Sequence, residues 1–514
     1  MTAALVAALS SSPMGQGRGR RVIDLAVQPA DITLVGEGRE WELGASVATG
    51  DVNGDSVPDL IVGAPGAAGP DGTRVNAGQV VAFFSVQGKD EHIDTRLISP
   101  DLIVYGSRPR DRLGDVSALA VGDVNGDRLD DLILGARSAS LADDSRRNPG
   151  AVYVIFGRPG LGGAIDLATT PADLTIYGAD SLDWLGQTVT VADLNNDGKG
   201  DLIVGAPLGD GPDNTRTNSG EVDIIFGGAH LGGVIDLAVT RPDAVIYGAD
   251  ADDFLGTALA TGDLNGDGRK DLAVTSLGGD GPGNGRGDMT GEVSIVFAGE
   301  AFPPVIDLKT LPSWILYGRD PGDFFGFRIL AQDLSNDGVA ELIVSAPRGD
   351  GPRNGRTSAG EVIVISGTRT AGGVFDLAKR SPTIIVYGAN VGDELGFQVG
   401  LRDFTGDTIR DLVLAAPGGD GPNNGRGEGT GEVVVVSLPK LTQRGLLPAL
   451  SVDLATQAPF LTIYGSQRGE TLGFSLLIAD ITEDGEADLL MGARTASPTE
   501  DRPRAGRIYV LTRP

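Results

Sequence analysis

One stretch recurs seven times along the chain, and its period limits the possible folds more than any other feature of the sequence. Its clearest copy reads Asp263-Leu-Asn265-Gly-Asp267-Gly-Arg269-Lys-Asp271-Leu272, with acidic side chains at positions 1, 5 and 9. The copies begin at Asp51, Asp123, Asp193, Asp263, Asp333, Asp403 and Asp480, at spacings of 72, 70, 70, 70, 70 and 77 residues. Units that cannot bury their own apolar faces must stack on one another, so the 514 residues read as one repeat body rather than a row of separate domains.

Within a unit the pattern is of short strands and tight turns. Each unit opens on Val-Ile-Asp-Leu (Val22–Leu25, Val234–Leu237, Val305–Leu308) and continues through a strand of the type Leu174-Thr-Ile-Tyr177-Gly178. An apolar stretch such as Leu43–Ala48, the acidic loop, the strand Asp59–Val62 and a last strand such as Glu221–Phe226 follow. β-Branched residues are enriched, turn residues bound every run, and helical periodicity is absent. Strands such as Asp411–Ala415 and Glu432–Val436 are apolar on successive residues, which requires cover on both faces.

Seven four-stranded antiparallel sheets arranged radially provide that cover, so the expected fold is an all-β, seven-bladed β-propeller. The termini fit a closed ring. The chain ends at Ile508–Leu511, the third strand of its unit, while Ile32–Gly36 is a fourth-type strand with no unit before it. The N-terminal strand is therefore expected to complete the last blade. Residues 1–21 are expected to be a tail, in which residues 2–9 read either as a secretory-signal remnant or as a disordered start to the chain, and residues 22–514 the propeller.

The acidic loops place oxygen at alternating positions. Positions 1, 3, 5, 7 and 9 are Asp51, Asn53, Asp55, Val57 and Asp59 in the first unit, and Asp123, Asn125, Asp127, Leu129 and Asp131 in the second. The third and fourth carry Asp193, Asn195, Asp197, Lys199, Asp201 and Asp263, Asn265, Asp267, Arg269, Asp271. The last three carry Asp333, Ser335, Asp337, Val339, Glu341, then Asp403, Thr405, Asp407, Ile409, Asp411, then Asp480, Thr482, Asp484, Glu486, Asp488. Ca²⁺ takes about six to eight oxygens, and such a loop offers side chains from positions 1, 3, 5 and 9 and a carbonyl from position 7, whose side chain varies freely.

A single copy would read as an Asx-turn. Seven copies, acidic at all 21 positions, require more, because carboxylates about 5 Å apart repel by roughly 3 kcal/mol per pair at an effective dielectric near 20. A cation in up to seven loops is the expected compensation. Loops with Ser335, Thr405 or Thr482 at position 3 are expected to be weaker sites, and Ser56, Arg128 and Thr408 replace the glycine found at position 6 elsewhere. Position 12 is Val62, Val204 or Val274 within a strand, which excludes an EF-hand.

The order Phe325-Gly326, Asp333 to Glu341, Ala346-Pro347, repeated as Leu43-Gly44, Asp51 to Asp59, Gly63-Ala64-Pro65, resembles the FG-GAP repeat of the integrin α-subunit β-propeller and its bacterial relatives. Leu replaces Phe before most of the first glycines, and Gly-Ala-Pro becomes Gly135-Ala-Arg137, Thr275-Ser-Leu277 and Gly492-Ala-Arg494. The resemblance implies Ca²⁺ between the first and second strands of each blade and an extracellular adhesion or recognition role. With neither leg domains nor a membrane anchor in these residues, receptor function is not expected to carry over.

A second loop recurs in units three to six: Asp210, Asn214, Arg216; Asp280, Asn284, Arg286; Asp350, Asn354, Arg356; and Asp420, Asn424, Arg426. Propeller topology puts these on the face opposite the acidic loops, where they are candidates for binding a carboxylate, sulfate or sugar. The alternative is a turn in which Arg pairs with Asp. Two Arg-Gly-Asp triplets, Arg286–Asp288 and Arg348–Asp350, occupy different offsets and follow from composition.

The net charge of −29 argues against nucleic acid or an anionic membrane as partner. There is no cysteine, and no apolar run reaches the about 18–20 residues of a membrane span. With His92 and His230 the only histidines, the usual bases and nucleophiles are missing, and a non-enzymatic module is expected. The expected protein is thus a secreted or surface-displayed monomer that binds Ca²⁺ and a protein or glycan. A carbohydrate-active hydrolase or lyase and a structural spacer are the alternatives.

Overall fold

The computed structural model describes residues 21–86, 91–141, 145–299, 302–310, 314–367, 373–438 and 450–512, so nearly all of the expected N-terminal tail lies outside the described residues. Seven sheets form seven blades. Short 3-10 turns at Pro212–Asn214, Pro282–Asn284, Pro352–Asn354 and Pro422–Asn424 are the helical elements among the described residues. No helix there is long and apolar enough to cross a membrane.

Each blade has five strands, not four. In blade 3, Thr188–Ala192, Asp201–Ala206, Glu221–Ile225 and Ala244–Tyr247 run antiparallel in that order from the inside outward. Val305–Asp307 then adds to the outer edge in parallel. That fifth strand comes from the next unit: after three strands of one blade the chain steps back, lays its Val-Ile-Asp segment on the preceding blade, and returns to supply its own fourth strand. The addition covers a row of backbone N–H and C=O groups that a four-stranded blade would leave open.

Ring closure uses two strands accordingly. Ile32–Val35 pairs antiparallel with Arg507–Leu511 and completes the fourth position of blade 7, as the leftover-strand reasoning requires. Arg21–Asp24 pairs in parallel with Leu461–Tyr464 and supplies the fifth strand of blade 6.

The core lies between blades. Ile133, Val152 and Ile176 of blade 2 pack with Leu202, Val204 and Ile225 of blade 3, and six similar clusters complete the set. The second strand of every blade is buried along its whole length, which is why its residues are apolar in succession. The Tyr-Gly pairs have a steric cause: a Cβ on Gly178 would sit 2.2 Å from the Pro149 carbonyl oxygen. Because neighbouring strands are antiparallel, the first–second loops emerge at one end of the blades and the second–third loops at the other.

Candidate metal loops and the opposite loop face

Every acidic loop joins the innermost strand to the second and folds on one hydrogen-bond frame. The position 1 carboxylate accepts the N–H of positions 5 and 6, as Asp51 does from Asp55 at 3.1 Å and Ser56 at 2.8 Å, and Asp480 from Asp484 and Gly485. Position 5 accepts the N–H of position 7, from Val57 in the first loop to Glu486 in the last. Position 9 accepts the N–H of position 2 in all seven, at 2.7–3.0 Å. The asparagines at position 3 accept the position 5 N–H through Oδ1, as Asn53, Asn125, Asn195 and Asn265 show.

Position 6 has a left-handed backbone throughout. Gly198, Gly268, Gly338 and Gly485 have φ of 82–86°, and Ser56, Arg128 and Thr408 adopt φ of 69–74° in their place. The loop geometry therefore does not depend on glycine, although the three substitutes bear strain.

Position 9 begins the second strand and is buried: Asp59, Asp131, Asp201, Asp271, Asp411 and Asp488 are wholly inaccessible and Glu341 nearly so. Burial, reinforced by the Asp55 and Asp51 charges, pushes Asp59 up to about 7. Burial likewise takes Glu341 up to about 7, and Asp131 and Asp271 up to about 6. Asp201, Asp411 and Asp488 are raised for the same first reason. In every loop the carboxylates at position 1, position 5 or both add to the rise, after burial.

Among the described residues no three or more His, Cys, Asp or Glu side chains converge on a metal position. The carboxylates lean instead on the backbone N–H groups of their own loop. The donor set itself fits a hard cation, since every side-chain donor is oxygen and the position 7 carbonyl is at hand. Two buried position 9 oxygens, Asp59 Oδ1 and Asp411 Oδ1, have no hydrogen-bond partner among the described residues.

On the opposite face the structure separates the expected Asp, Asn and Arg. Asp210 and Asp350 accept the N–H of Asn218 and Ser358, both at 2.9 Å, and so shape their own loops. Asp280 Oδ1 is buried without a partner there, and the Asp420 carbonyl accepts the Arg426 N–H. Asn214, Asn284, Asn354 and Asn424 stand exposed at the loop tips with φ of 53–55°.

The arginines turn toward the blade edge. Arg216 binds Asp307 through two hydrogen bonds of 2.8 and 2.7 Å, and Arg286, Arg356 and Arg426 pair with Asp376, Asp453 and Asp24 at 2.6–2.8 Å. Arg74–Asp166, Arg146–Asp236 and Arg502–Asp94 repeat the contact in the other blades. Seven such clasps tie the borrowed fifth strand to the blade that receives it. Sequence reasoning missed them, although the Asp of Val-Ile-Asp-Leu and the loop Arg recur in step. Their partners lie about a period and a quarter apart, so no single unit contains both.

The FG-GAP repeat model matches residues 43–83, 116–155, 185–225, 255–296 and 325–365. The chain carries five FG-GAP repeats, one in each of blades 1 to 5. Blades 6 and 7 of this FG-GAP propeller continue the same strand pattern beyond those matches. It is 35% identical over 178 residues to human integrin alpha-IIb, covering 33% of this chain and 15% of that one. It is 32% identical over 219 residues to a bovine protein named phosphatidylinositol-glycan-specific phospholipase D, covering 42% of this chain and 24% of the relative. The rat protein of the same name aligns over 436 residues at 27% identity, which is 80% of this chain and 47% of the relative. The FG-GAP chain thus spans less than half the length of these relatives.

These names correct one expectation. Scarcity of histidine and absence of cysteine pointed to a module outside catalysis, yet curated relatives of this FG-GAP protein are enzymes. Residue counts were a poor guide because they describe this chain alone, which spans only 24–47% of those relatives.

Proposed function

We propose that this chain is a calcium-stabilised recognition propeller acting outside the cell, of the integrin α type. The observation that carries the reading is the common frame of the seven acidic loops, each with a carboxyl sealed at its base beside two more. Positions 1, 3, 5 and 9 and the position 7 carbonyl would hold the ion. When bound, Ca²⁺ would neutralise the loop and fix the turn from the innermost strand to the second. Affinities of about 10⁻⁴–10⁻³ M, typical of extracellular modules, keep such sites filled outside a cell. The second–third loop face then carries recognition of a protein or glycan. Arrays of both ligand types, probed with Ca²⁺-loaded protein, test this: a specific ligand is expected, and none on either array overturns it.

A second reading is favoured by the rat relative, whose alignment covers most of this chain. In it the propeller serves the cleavage of phosphatidylinositol-glycan anchors. Release of an anchored reporter protein by this chain supports that reading, and no release at high enzyme concentration removes it.

A further inference from the structure

The second–third loop face is not uniform in charge. In blades 3 to 6 the segment ahead of the innermost strand carries Asp180, Asp250, Asp320 or Asn390, and three residues later a buried Asp. In blade 2 the segment reads Arg108-Pro-Arg110-Asp-Arg112. Arg137 and Arg494 likewise stand where blades 1, 3, 5 and 6 have Pro65, Pro207, Pro347 and Pro417. The other blades build the same fold without these arginines, so the fold does not explain them.

The arginines converge on too few carboxylates. Arg112 pairs with Asp115 at 2.9 Å and Glu42 at 3.2 Å, Arg137 with Asp115 at 3.3 Å, and Arg504 with Glu42 and, at 3.4 Å, with Glu40. Arg494 is the fourth guanidinium. Its charged neighbours are Glu42, Asp115, Arg112 and Arg504, yet it forms no hydrogen bond or ion pair among the described residues. It lies 3.6 Å over the Phe474 ring, and its Nε is buried without a partner. Arg494 is partly buried and its Nε goes unpaired, which is unfavourable for the fold, and an incoming anion offers the missing partner.

The surroundings suit a sugar. Phe474, Phe397 and Phe327 form an arc with ring centres 4.9 and 5.0 Å apart, in which Phe474 is buried beneath Arg494 and the partly exposed Phe397 and Phe327 continue the apolar surface away from it. On the other side of Arg112 a cavity of about 990 Å³ is walled by Asn76, Ser138, Ser140 and Asn148, with exposed Arg110 at its rim. Amide and hydroxyl groups in that number match a polyhydroxyl ligand.

We propose that this sector, where blades 7, 1 and 2 meet, binds an acidic carbohydrate whose carboxylate, sulfate or phosphate group pairs with Arg494. The proposal rests on the recognition reading and names its ligand class. The remaining hydroxyls bond to the cavity wall, and the sugar ring lies along the phenyl arc.

Titration calorimetry of Ca²⁺-loaded protein with uronate, sulfated, phosphorylated and neutral oligosaccharides of matched length tests it and separates the three anion sources. At least one acidic series is expected to bind, more weakly at high salt, and the neutral one not. Arg494→Gln is expected to weaken binding at least tenfold, Arg494→Lys to retain part of it, and Arg110→Gln to weaken it several-fold. Without ligand, Arg494→Gln is expected to melt no lower than the parent, whereas a structural arginine would lower the melt. Equal binding of acidic and neutral sugars, no binding of any acidic series, or unchanged affinity in Arg494→Gln overturns the site. A glutamate-rich peptide that binds through Arg494 while acidic sugars do not overturns the carbohydrate class. An array ligand insensitive to Arg494→Gln overturns this site but leaves the recognition reading standing.

Discussion

Asp24 and Arg426 form the clasp that holds the N-terminal strand to blade 6, and Asp24→Asn should loosen that strand without loosening the ring. Arg426 donates to Asp24 at 2.8 Å and also to the Gly465 carbonyl, and the two side chains are 20% and 23% exposed. A hydrogen bond to a charged group contributes about 1.5–3 kcal/mol when buried, and an exposed ion pair about 0.2–1 kcal/mol. A pair four-fifths buried falls between, at about 1–2 kcal/mol, or about a five- to thirtyfold change in local opening. Arg426 holds the Asp24 carboxyl below its usual range, against the opposing effect of burial and with help from the Ala26 N–H. The folded pKa is therefore depressed, so the stabilisation is complete above the unfolded value of about 3.9 and is lost as pH falls through the folded one.

Hydrogen exchange at Ile23 and Leu25 reads this directly, because these N–H groups belong to the parallel pairing with Leu461–Tyr464. Exchange there should quicken by the stated factor in Asp24→Asn, while Val305–Asp307 of blade 3 keeps its protection. A double-mutant cycle with Arg426→Gln should give a coupling of about 1–2 kcal/mol at pH 7 that declines as the pH falls below about 3.9. Unchanged exchange, or equal loosening in both blades, would refute the reasoning.

Thr408→Gly should stabilise the protein by about 0.5–1 kcal/mol in denaturant melts, because relief of a β-branched residue at φ 70° outweighs the added chain entropy. Gly268→Thr should destabilise by about 1–2 kcal/mol, with strain as the sole cause, since a Cβ there meets nothing within 4 Å. In blade 3, burial first and then neighbouring carboxylates raise Glu221 and Asp223, which lie two residues apart on one strand face near Asp183. Raised carboxyl pKa values mean stability is greatest below about pH 4 and declines as pH rises through the folded values, so Glu221→Gln should raise the melting temperature at pH 8 and leave it unchanged at pH 4. Phe325→Ala, at 1% exposure between blades 4 and 5, should cost about 3–5 kcal/mol in the same melts.

The repeat period and the unpaired Ile32–Val35 made the blade number and one closure strand legible in the residues themselves. The fifth strands were not legible. Segments such as Arg21–Asp24 are four residues long with Val22 60% exposed and Ile23 buried, which reads as a loop with one anchored residue. Their pairing is parallel and with the preceding unit, so the hairpin logic that found the other strands does not reach them. The clasps were hidden by the same step back along the chain: Arg216 and Asp307 are 91 residues apart. At the cationic sector, the change from Gly-Ala-Pro to Gly-Ala-Arg was visible as a departure. What it brought beside Arg112 and Glu42 depended on which blades are neighbours across the ring closure.

The most direct measurement is the melting temperature of chelator-treated protein with and without Ca²⁺. At tenfold above its dissociation constant each loop adds about 1.4 kcal/mol, about 10 kcal/mol for seven. An unfolding entropy of about 1.1 kcal/mol/K for 514 residues converts this to a rise of about 9 °C. Asp59→Asn should remove about one-seventh of it. A rise of that order, specific to Ca²⁺, is expected, and a melt that does not move on adding millimolar Ca²⁺ would contradict the seven-loop metal frame.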